Sequence, residues 1–428
     1  MSSPTAPATG PTAQPGAGAA AGMGAGAGAG ARAPANLAGE VRLRAGAGLP
    51  AIDSSRPEVV PRLAPGKPAD QLPDLLAAVH SLCAQAHRLT ARRAVLAARG
   101  DTDPGRTAGE AQALRLATAR DQILRIVHDW PRQLPGATPP GLSHAARDAA
   151  SALLLRACPL WRSDWPAEER LAALPDWLAH ALLAMPVADW LAAHTGDPQG
   201  WAARWALGQA SLAKPPLIAR LLASQLTGPA RADRLMASAP AATLLAGDEA
   251  ALQARLRGIA AALAREPGFW IAPQLADSLP DTGPWNRRHG PAAAVHSAWD
   301  RLVARVVDLL QLASPEGEHW LTRGALTLSP GEGIAWTEMA RGLLVHWVRL
   351  DPTGQTVEAC RVLAPTEWNF HPRGVLAQAL AGLSGRPADE RPVAAQRLAV
   401  AFDPCVAFSI DAADAPTERA TAEGSPDA

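Results

Sequence analysis

The sequence predicts a mainly α-helical domain with a small β portion, and three observations support that fold class. Apolar residues recur at helical spacing over residues 71–99, 110–130 and 143–158, which indicates long amphipathic helices. Between residues 166 and 312 the same pattern continues, interrupted by proline and glycine and filled out by bulky tryptophans. The alternation typical of strands is confined to a short segment at the amino end and to the chain beyond Gly331.

The strands are predicted to form two hairpins, one near each end of the domain. A Gly-rich turn over residues 45–48 separates the first pair of segments, and the turn Asp351-Pro352-Thr353-Gly354 separates the second. Two last helices then lead to the segment Asp403-Pro404-Cys405. The predicted strands are 40–44, 49–52, 343–350 and 357–363, and the last helices are 375–383 and 392–401.

The composition of both chain ends predicts disorder. Of the first 37 residues, 26 are Ala, Gly or Pro, and the last residues are mostly Ala, Thr, Glu, Asp and Pro. Such segments bury too little apolar surface to offset the entropy lost on ordering. We therefore predict a disordered leader over residues 1–37, one domain over residues 38–411 and a disordered tail over residues 412–428.

Charge and cysteine content exclude several classes of protein. The 40 Lys and Arg residues balance the 40 Asp and Glu residues, whereas a protein that binds nucleic acid or an anionic membrane carries a basic surplus. No run of about 18 apolar residues is present, so no membrane insertion is expected. Four scattered cysteines do not suit a secreted disulfide framework, which predicts a cytoplasmic location.

One cysteine lies between two histidines at helical spacing. His80, Cys83 and His87 are three and four residues apart, so a helix or its N-terminal turn would place them on one face. That face could present one thiolate and two imidazoles to a metal. From this segment alone, the alternative of a small buried hydrophobic cysteine stays open.

Other candidates receive structural interpretations. Cys158, beside Pro159, and Cys360, in a predicted strand, are interpreted as ordinary buried thiols. His346 lies between two apolar residues of a predicted strand and is interpreted as a structural histidine. The segment 281–287 is assigned to packing.

Four short motifs, taken together, identify a family. They are the segment around Cys83, Glu338-Met339-Ala340-Arg341-Gly342, Pro365-Thr366-Glu367-Trp368-Asn369 and Asp403-Pro404-Cys405. Taken alone, the segment 365–369 is predicted to be a turn. Over about residues 39–411 the chain resembles the large subunit of nickel-iron hydrogenases. It resembles most closely the HupK-type hydrogenase expression/formation proteins, which look like degenerate copies of that subunit. The resemblance implies a large-subunit-like fold.

The resemblance also implies which metal ligands remain. Large subunits hold nickel with four thiolates, two of which bridge to iron, and at the matching positions only Cys83 and Cys405 are retained. His80 and Phe408 replace the other two cysteines, and Asp411 replaces the closing histidine. Because phenylalanine cannot ligate a metal, no nickel is expected. Iron with two cyanides and one carbon monoxide needs only two thiolates to become five-coordinate, which makes Cys83 and Cys405 its expected ligands, with His80 as a further candidate.

Other retained residues match positions that face the same iron group. In the family, the matches of Arg341 and Thr366 contact the cyanides, and a guanidinium and a hydroxyl suit anionic ligands in a dry cavity. His87 matches a histidine behind the bridging cysteine, and Asp403 matches an acid beside the arginine. Ala340 departs from the proline usual in the family.

These observations predict a non-catalytic assembly factor. The leading hypothesis is a scaffold that transiently holds the iron-cyanide-carbonyl group before its delivery to the hydrogenase large subunit, with maturation chaperones and the immature large subunit as partners. The alternative is a docking module without cofactor, and a divergent hydrogenase is disfavoured because two thiolates are lost. The scaffold hypothesis predicts that the sulfurs of Cys83 and Cys405 lie within roughly 3 to 7 Å of each other.

Overall fold

A computed structural model of the chain describes residues 39–101, 109–226, 234–235, 241–245, 247–275, 278–289 and 296–412. The predicted leader over residues 1–37 lies outside the described residues, and so do residues 413–428 of the predicted tail. The described residues belong to one compact unit.

Helices make up most of the described structure. Two of them continue through π-helical turns, Arg125–Asp129 between α4 and α5 and Ala179–Leu183 after α8. The helices are α1 (Val60–Leu63), α2 (Leu72–Val79), α3 (Ala84–Ala98), α4 (Glu110–Leu124), α5 (Trp130–Gln133), α6 (His144–Ala157), α7 (Ala167–Ala172), α8 (Leu174–Leu178), α9 (Val187–Gly196), α10 (Trp201–Ala210), α11 (Leu217–Ser224), α12 (Glu249–Arg265), α13 (Pro284–His289), α14 (Ala298–Ala313), α15 (Pro365–Asn369), α16 (Val375–Gly382) and α17 (Arg391–Phe402).

The central helix is α14, which is buried along almost its whole length. Its start is fixed by a capping box, in which the Ser297 hydroxyl accepts from the backbone N–H of Asp300 and the Asp300 carboxylate accepts from that of Ser297. Arg301, Arg305 and Asp308 are nevertheless buried on this helix. A core helix therefore carries three charges that need partners inside the domain.

The described strands form two main sheets and one separate pair. The first has the order β2-β1-β9, with β1 antiparallel to β2 and parallel to β9. Val41 of the first described strand is therefore paired with Phe408 of the last one. The second is an antiparallel meander in the order β5-β6-β7-β8, and β3 and β4 form a separate pair. The strands are β1 (Val41–Ala45), β2 (Ile52–Ser54), β3 (Arg234–Leu235), β4 (His296–Ser297), β5 (Arg323–Ser329), β6 (Glu332–Met339), β7 (Gly342–Leu350), β8 (Val357–Leu363) and β9 (Phe408–Ala412).

The predicted class, mainly α with a small β portion, is confirmed, and so are both predicted hairpins, β1–β2 and β7–β8. The sequence interpretation missed β5 and β6. Nearly every residue of β6 is buried, including Thr337 and Glu338, so the strand shows no alternation of polar and apolar residues.

Two other predicted elements were wrong in detail. The helix predicted over residues 71–99 is interrupted at His80, whose φ and ψ are −110° and 58°, and a 3-10 turn over Ser81–Cys83 follows. No proline or glycine marks that break. The segment Pro365–Asn369, predicted as a turn, is the short helix α15, because proline fits its first position and Glu367 accepts from the backbone N–H of Ala364 at 2.9 Å.

The position of Cys83 depends on how closely α3 packs on the second sheet. A Cβ atom at Gly333 of β6 would lie 2.4 Å from the carbonyl oxygen of Ala94 and 2.5 Å from the amide nitrogen of Ala98. Only glycine permits that approach. The sheet thus fixes α3, and α3 fixes the cysteine immediately before its first residue.

Among the described residues, no single helix reaches the length and hydropathy of a membrane span. One pair of apolar segments, Ala167–Leu183 and Val187–Gly196, passes the same test together with a bend of 71°.

Candidate functional site

Cys83 and Cys405 come from opposite ends of the domain and become neighbours. Cys83 closes the 3-10 turn before α3 and is 9% exposed, while Cys405 follows the end of α17 and is half-buried. Burial raises the pKa of the Cys83 thiol, the charge of Cys405 raises it further, and Arg341 opposes both. The Cys405 sulfur also lies 2.9 Å from the hydroxyl oxygen of Thr366. The predicted sulfur-to-sulfur distance stays a prediction.

The first sheet and α17 together hold Cys405 in this position. Strand β9 begins three residues later and pairs with β1, and the Val41 amide donates to the carbonyl of Ala407 at 3.0 Å. Helix α17 ends at Asp403, whose φ of 54° turns the chain sharply. The cysteine is therefore fixed from both sides in the sequence.

Arg341 is buried in the turn between β6 and β7. Its Nε lies 3.3 Å from Asp403 Oδ2, and its Nη1 lies 3.6 Å from Asp121 Oδ2. Burial opposes the positive charge, but Asp403 and Asp121 outweigh it and raise the pKa of the guanidinium. Neither Nε nor Nη1 makes a hydrogen bond within the described structure. The side chain thus presents two buried donors that protein groups leave unused.

Asp403 joins three arginines. Its carboxylate lies 2.7 Å from Arg125 Nε, 3.0 Å from Arg305 Nη2 and 3.3 Å from Arg341 Nε. Burial disfavours its charge, but the three guanidinium groups prevail and hold its pKa below the ordinary value. This acid therefore stays ionised and balances positive charge next to the cysteines.

Asp121 adds a second acid to the same cluster. Burial raises its pKa to about 6, although Arg341 partly opposes that shift. The cluster therefore gains or loses one negative charge close to neutral pH.

The segment 281–287 positions Arg341 through polar contacts as well as packing. Gly342 has a φ of 125°, and a Cβ atom there would lie 2.3 Å from Thr282 Oγ1, so only glycine fits. Thr282 Oγ1 accepts from the Leu343 amide at 2.9 Å, and the Thr282 amide donates to Asn369 Oδ1 at 2.9 Å. The backbone on both sides of the Arg341 turn is thereby held.

Ion pairs complete this framework on α14. Asp281 pairs with Arg301, and Arg287 pairs with Asp308, all four within the core. The assignment of this segment to packing was therefore too narrow, since its charged ends satisfy charges on the central helix.

Three histidines form a buried row beside Cys83. The rings of His80 and His87 stack at a centroid distance of 3.9 Å, and His87 Nδ1 lies 3.1 Å from His346 Nε2. His80 Nε2 and His346 Nδ1 are buried and make no hydrogen bond in the described part of the chain. The two rings are stacked nearly parallel, at an interplanar angle of 13°.

No group of three or more His, Cys, Asp or Glu side chains among the described residues is placed to hold a metal ion. The arrangement considered for His80, Cys83 and His87 is therefore not formed in this structure. A site that relies on two thiolates does not require it.

The histidine row predicts acid sensitivity of the metal-free protein. Burial, with help from Arg56, lowers the pKa of His80 to about 4, and burial lowers the pKa values of His87 and His346 well below the usual range. On unfolding below pH 6.5 these rings take up protons that the folded state excludes. The free energy of unfolding should therefore fall as the pH drops from 6.5 towards 4.

Urea unfolding at a series of pH values measures this dependence. His346→Gln should reduce the slope by up to about 1.4 kcal/mol per pH unit, the contribution of one proton. The control His319→Gln removes an exposed histidine and should leave the slope unchanged. Equal slopes for the wild type and His346→Gln would contradict the prediction.

The sequence analysis did not predict several residues that the structure places at the site. Arg56 Nη1 lies 2.6 Å from Glu367 Oε1, and both side chains are less than 10% exposed. Nothing in the sequence marks Arg56. Arg305 could have been found, because it interrupts an otherwise apolar helical face between Leu302 and Leu309.

The structural interpretation of the other two cysteines is confirmed. Cys158 and Cys360 are fully buried, and burial raises the pKa of each thiol to about 12. Both thiols are therefore protonated at neutral pH in the metal-free protein. His346 also lies on a strand as expected, with one ring nitrogen bonded to His87.

Comparison with known proteins finds one matching family model and several similar full-length relatives. Residues 290–411 match the family model described as nickel-dependent hydrogenase. The chain is 35% identical over 394 residues to hydrogenase expression/formation protein HoxV of Cupriavidus necator, covering 88% of this chain and 96% of that one. It is 32% identical over 380 residues to hydrogenase expression/formation protein HupK of Bradyrhizobium diazoefficiens, covering 83% and 90%.

Solved structures are more distant. An NAD+-reducing [NiFe]-hydrogenase in the H2-reduced state aligns with a TM-score of 0.46 and 15% identity, covering 83% of this chain and 91% of that chain.

Proposed function

The chain belongs to the family of hydrogenase expression/formation proteins and so acts in hydrogenase maturation, and we propose that it transiently holds the iron-cyanide-carbonyl group as cargo before delivery to the large subunit. In this proposal it performs no catalysis. Its domain has a large-subunit-like arrangement, which the match of residues 290–411 supports.

Arg341 supplies the observation that carries the proposal. A buried N–H group that makes no hydrogen bond costs about 1 to 3 kcal/mol. Arg341 Nε and Nη1 are in this position, since they face Asp403 and Asp121 at 3.3 Å and 3.6 Å without forming hydrogen bonds. Neighbouring acids keep the guanidinium charged, and the thiol of Cys83 lies within its electrostatic reach. A cyanide bound to iron is an anionic acceptor, so it would satisfy donors that the protein itself does not.

The ligand set suits iron and not nickel. Two thiolates, from Cys83 and Cys405, complete a five-coordinate centre with three diatomic ligands. Phe408 occupies the position of a nickel ligand and offers no donor atom. His80, with its unbonded Nε2, stays a candidate for a further iron ligand.

The remaining residues act on the cargo or on its ligands. The Thr366 hydroxyl, already 2.9 Å from the Cys405 sulfur, is proposed to donate to a cyanide or to that sulfur. Asp403 holds Arg341 in place. His87 supports the Cys83 side by stacking on His80. The proposed partners are maturation chaperones and the immature large subunit.

Infrared spectroscopy tests the proposal directly. The protein is purified without oxygen from cells that express the full set of maturation proteins, and the region of cyanide and carbonyl stretching is recorded together with the iron content. We expect two cyanide bands, one carbonyl band and one iron per chain. A protein without these bands that still supports maturation would instead be a docking module.

Arg341 variants separate a cyanide donor from a generic positive charge. Arg341→Ala should retain part of the cargo and shift the cyanide bands, because the charged donor is lost while both thiolates remain. Arg341→Lys should recover retention only in part, since an ammonium is a point charge without the planar fork of a guanidinium. Cargo retention after dilution and band position are both measured. Bands in Arg341→Ala identical to those of the wild type would remove Arg341 from the site.

A further inference from the structure

A cavity leads from the surface to Cys83. Its volume is about 290 Å³, and its walls come from the segment 81–86, from α4, and from Trp161 and Met339. Leu82 and Leu124 stand at its rim, 57% and 37% exposed, while Cys83 at 9% exposure lies deep. The cavity is therefore an open passage that ends on one of the two proposed cargo ligands.

The wall of this cavity offers sulfur donors and an acid. Besides the Cys83 thiol, the thioether of Met339 lines it, and Met339 is only 2% exposed. Asp121, which pairs with Arg341, also lines it. Thiols and thioethers are soft ligands, which suit a low-valent metal passing along the wall.

The other side of Arg341 offers no comparable route. The cavity there, between Arg341, Asn369 and Phe402, has a volume of only about 10 Å³. That is about the space of one water molecule, roughly 10 to 15 Å³, so the larger iron group cannot pass. Of these two cavities, only the one beside Cys83 is large enough.

We propose that the iron cargo enters and leaves through the cavity beside Cys83, by exchange with a thiolate presented at its mouth. The inference rests on the proposed function. In the exchange, the two iron–sulfur bonds to this chain break one after the other, as each of two incoming thiols forms one bond to the iron. The proton of each incoming thiol moves to the cysteine that it displaces, and the oxidation state of the iron does not change.

The route can be tested first on the metal-free protein, with methylmercury as a soft thiol probe and peptide mass mapping as readout. Ala117→Phe places a ring in the cavity from α4 and should slow labelling of Cys83 by about tenfold or more, because close-packed interiors exclude the probe. Labelling of Cys405 should not change. The matched control Ala407→Phe, at an exposed position near Cys405, should leave Cys83 labelling at the wild-type rate.

Leu124 provides a pair of opposite changes at the rim. Leu124→Trp should slow Cys83 labelling and Leu124→Ala should accelerate it, and a general loss of folding cannot produce both signs. If Cys83 reacts at the wild-type rate in Ala117→Phe and in Leu124→Trp, the route is refuted.

The same variants are then examined with cargo bound. Excess small thiol is added to loaded protein, and loss of the cyanide and carbonyl bands is followed in time. Ala117→Phe should release cargo about tenfold more slowly than the wild type and Ala407→Phe should match the wild type. Equal release by all three would overturn the route while leaving the scaffold function intact. Absence of bands from the wild type would overturn the scaffold function, and the mercury experiment would still decide whether the passage exists.

Discussion

The double variant Cys83→Ala with Cys405→Ala is expected to fold and to carry no iron-cyanide-carbonyl group. The two thiolates are the iron ligands on which the proposed site depends, so their removal should take the iron content and the infrared bands to background. Alanine fills most of the volume of a cysteine, and the cavity left at each site costs of order 1 kcal/mol. Loss of cargo is thus separable from loss of structure.

The chain contains a matched control for this experiment. Cys158 and Cys360 are also buried free thiols, and their double replacement by alanine removes the same atoms from the core. That control should load cargo to the wild-type level, with a similar cost in stability. Single variants at Cys83 and Cys405 should each abolish stable loading, because one thiolate leaves the iron under-coordinated.

Hydrogenase yield in cells connects the site to function. A scaffold without its thiolates should no longer support maturation, whereas a docking module would work as well as the wild type. The scaffold mechanism would therefore be refuted if the folded Cys83 and Cys405 double variant gave the same hydrogenase yield as the wild type.

The fold class was readable from the sequence because most helices bury one face and expose the other. Helix α6 was predicted within one residue at each end. Strand β6 was not readable, because both of its faces are covered and its buried polar residues resemble those of a loop. The break at His80 was also hidden, because no proline or glycine lies between Leu75 and Arg99 to mark it.

Only those site residues that belong to short sequence motifs could be predicted from the sequence. Cys83, Arg341, Thr366 and Cys405 belong to such motifs, and they contribute to one buried cluster. The partners of those residues come from elsewhere in the chain. Nothing local distinguishes Arg56, which meets Glu367 across 311 residues of sequence, from an exposed arginine.

The balance of charges in the core also could not be predicted, because the paired groups come from distant parts of the chain. The family motif marks Asp403 as an acid beside Arg341, but nothing local in the sequence shows that two further arginines meet it, from the π-helical turn after α4 and from α14. These contacts lead to a strong prediction about stability.

Asp403→Asn should destabilise the metal-free fold by about 3 to 5 kcal/mol, because three buried guanidinium groups lose their shared counter-charge. Asparagine keeps the shape of the side chain and tolerates the left-handed backbone at this position, so the change isolates the charge. The midpoint of urea unfolding measures the effect. The slope of the free energy of unfolding against urea concentration should stay the same as in the wild type. An exposed acid gives the contrast: Asp411→Asn breaks only a surface pair with Arg42 and should change stability by less than about 0.5 kcal/mol.

A second substitution shows whether unpaired positive charge is the cause. Arg305→Met removes one guanidinium from the cluster while filling a similar volume. The double variant with Asp403→Asn should lose about 1 to 3 kcal/mol less free energy of unfolding than the sum of the two single losses. The reason is that loss of the carboxylate leaves less positive charge unbalanced when one guanidinium is already absent. Additive effects would mean that the carboxylate stabilises the turn after α17 by its hydrogen bonds, and that the three arginines are balanced by Asp121 and Asp129 instead.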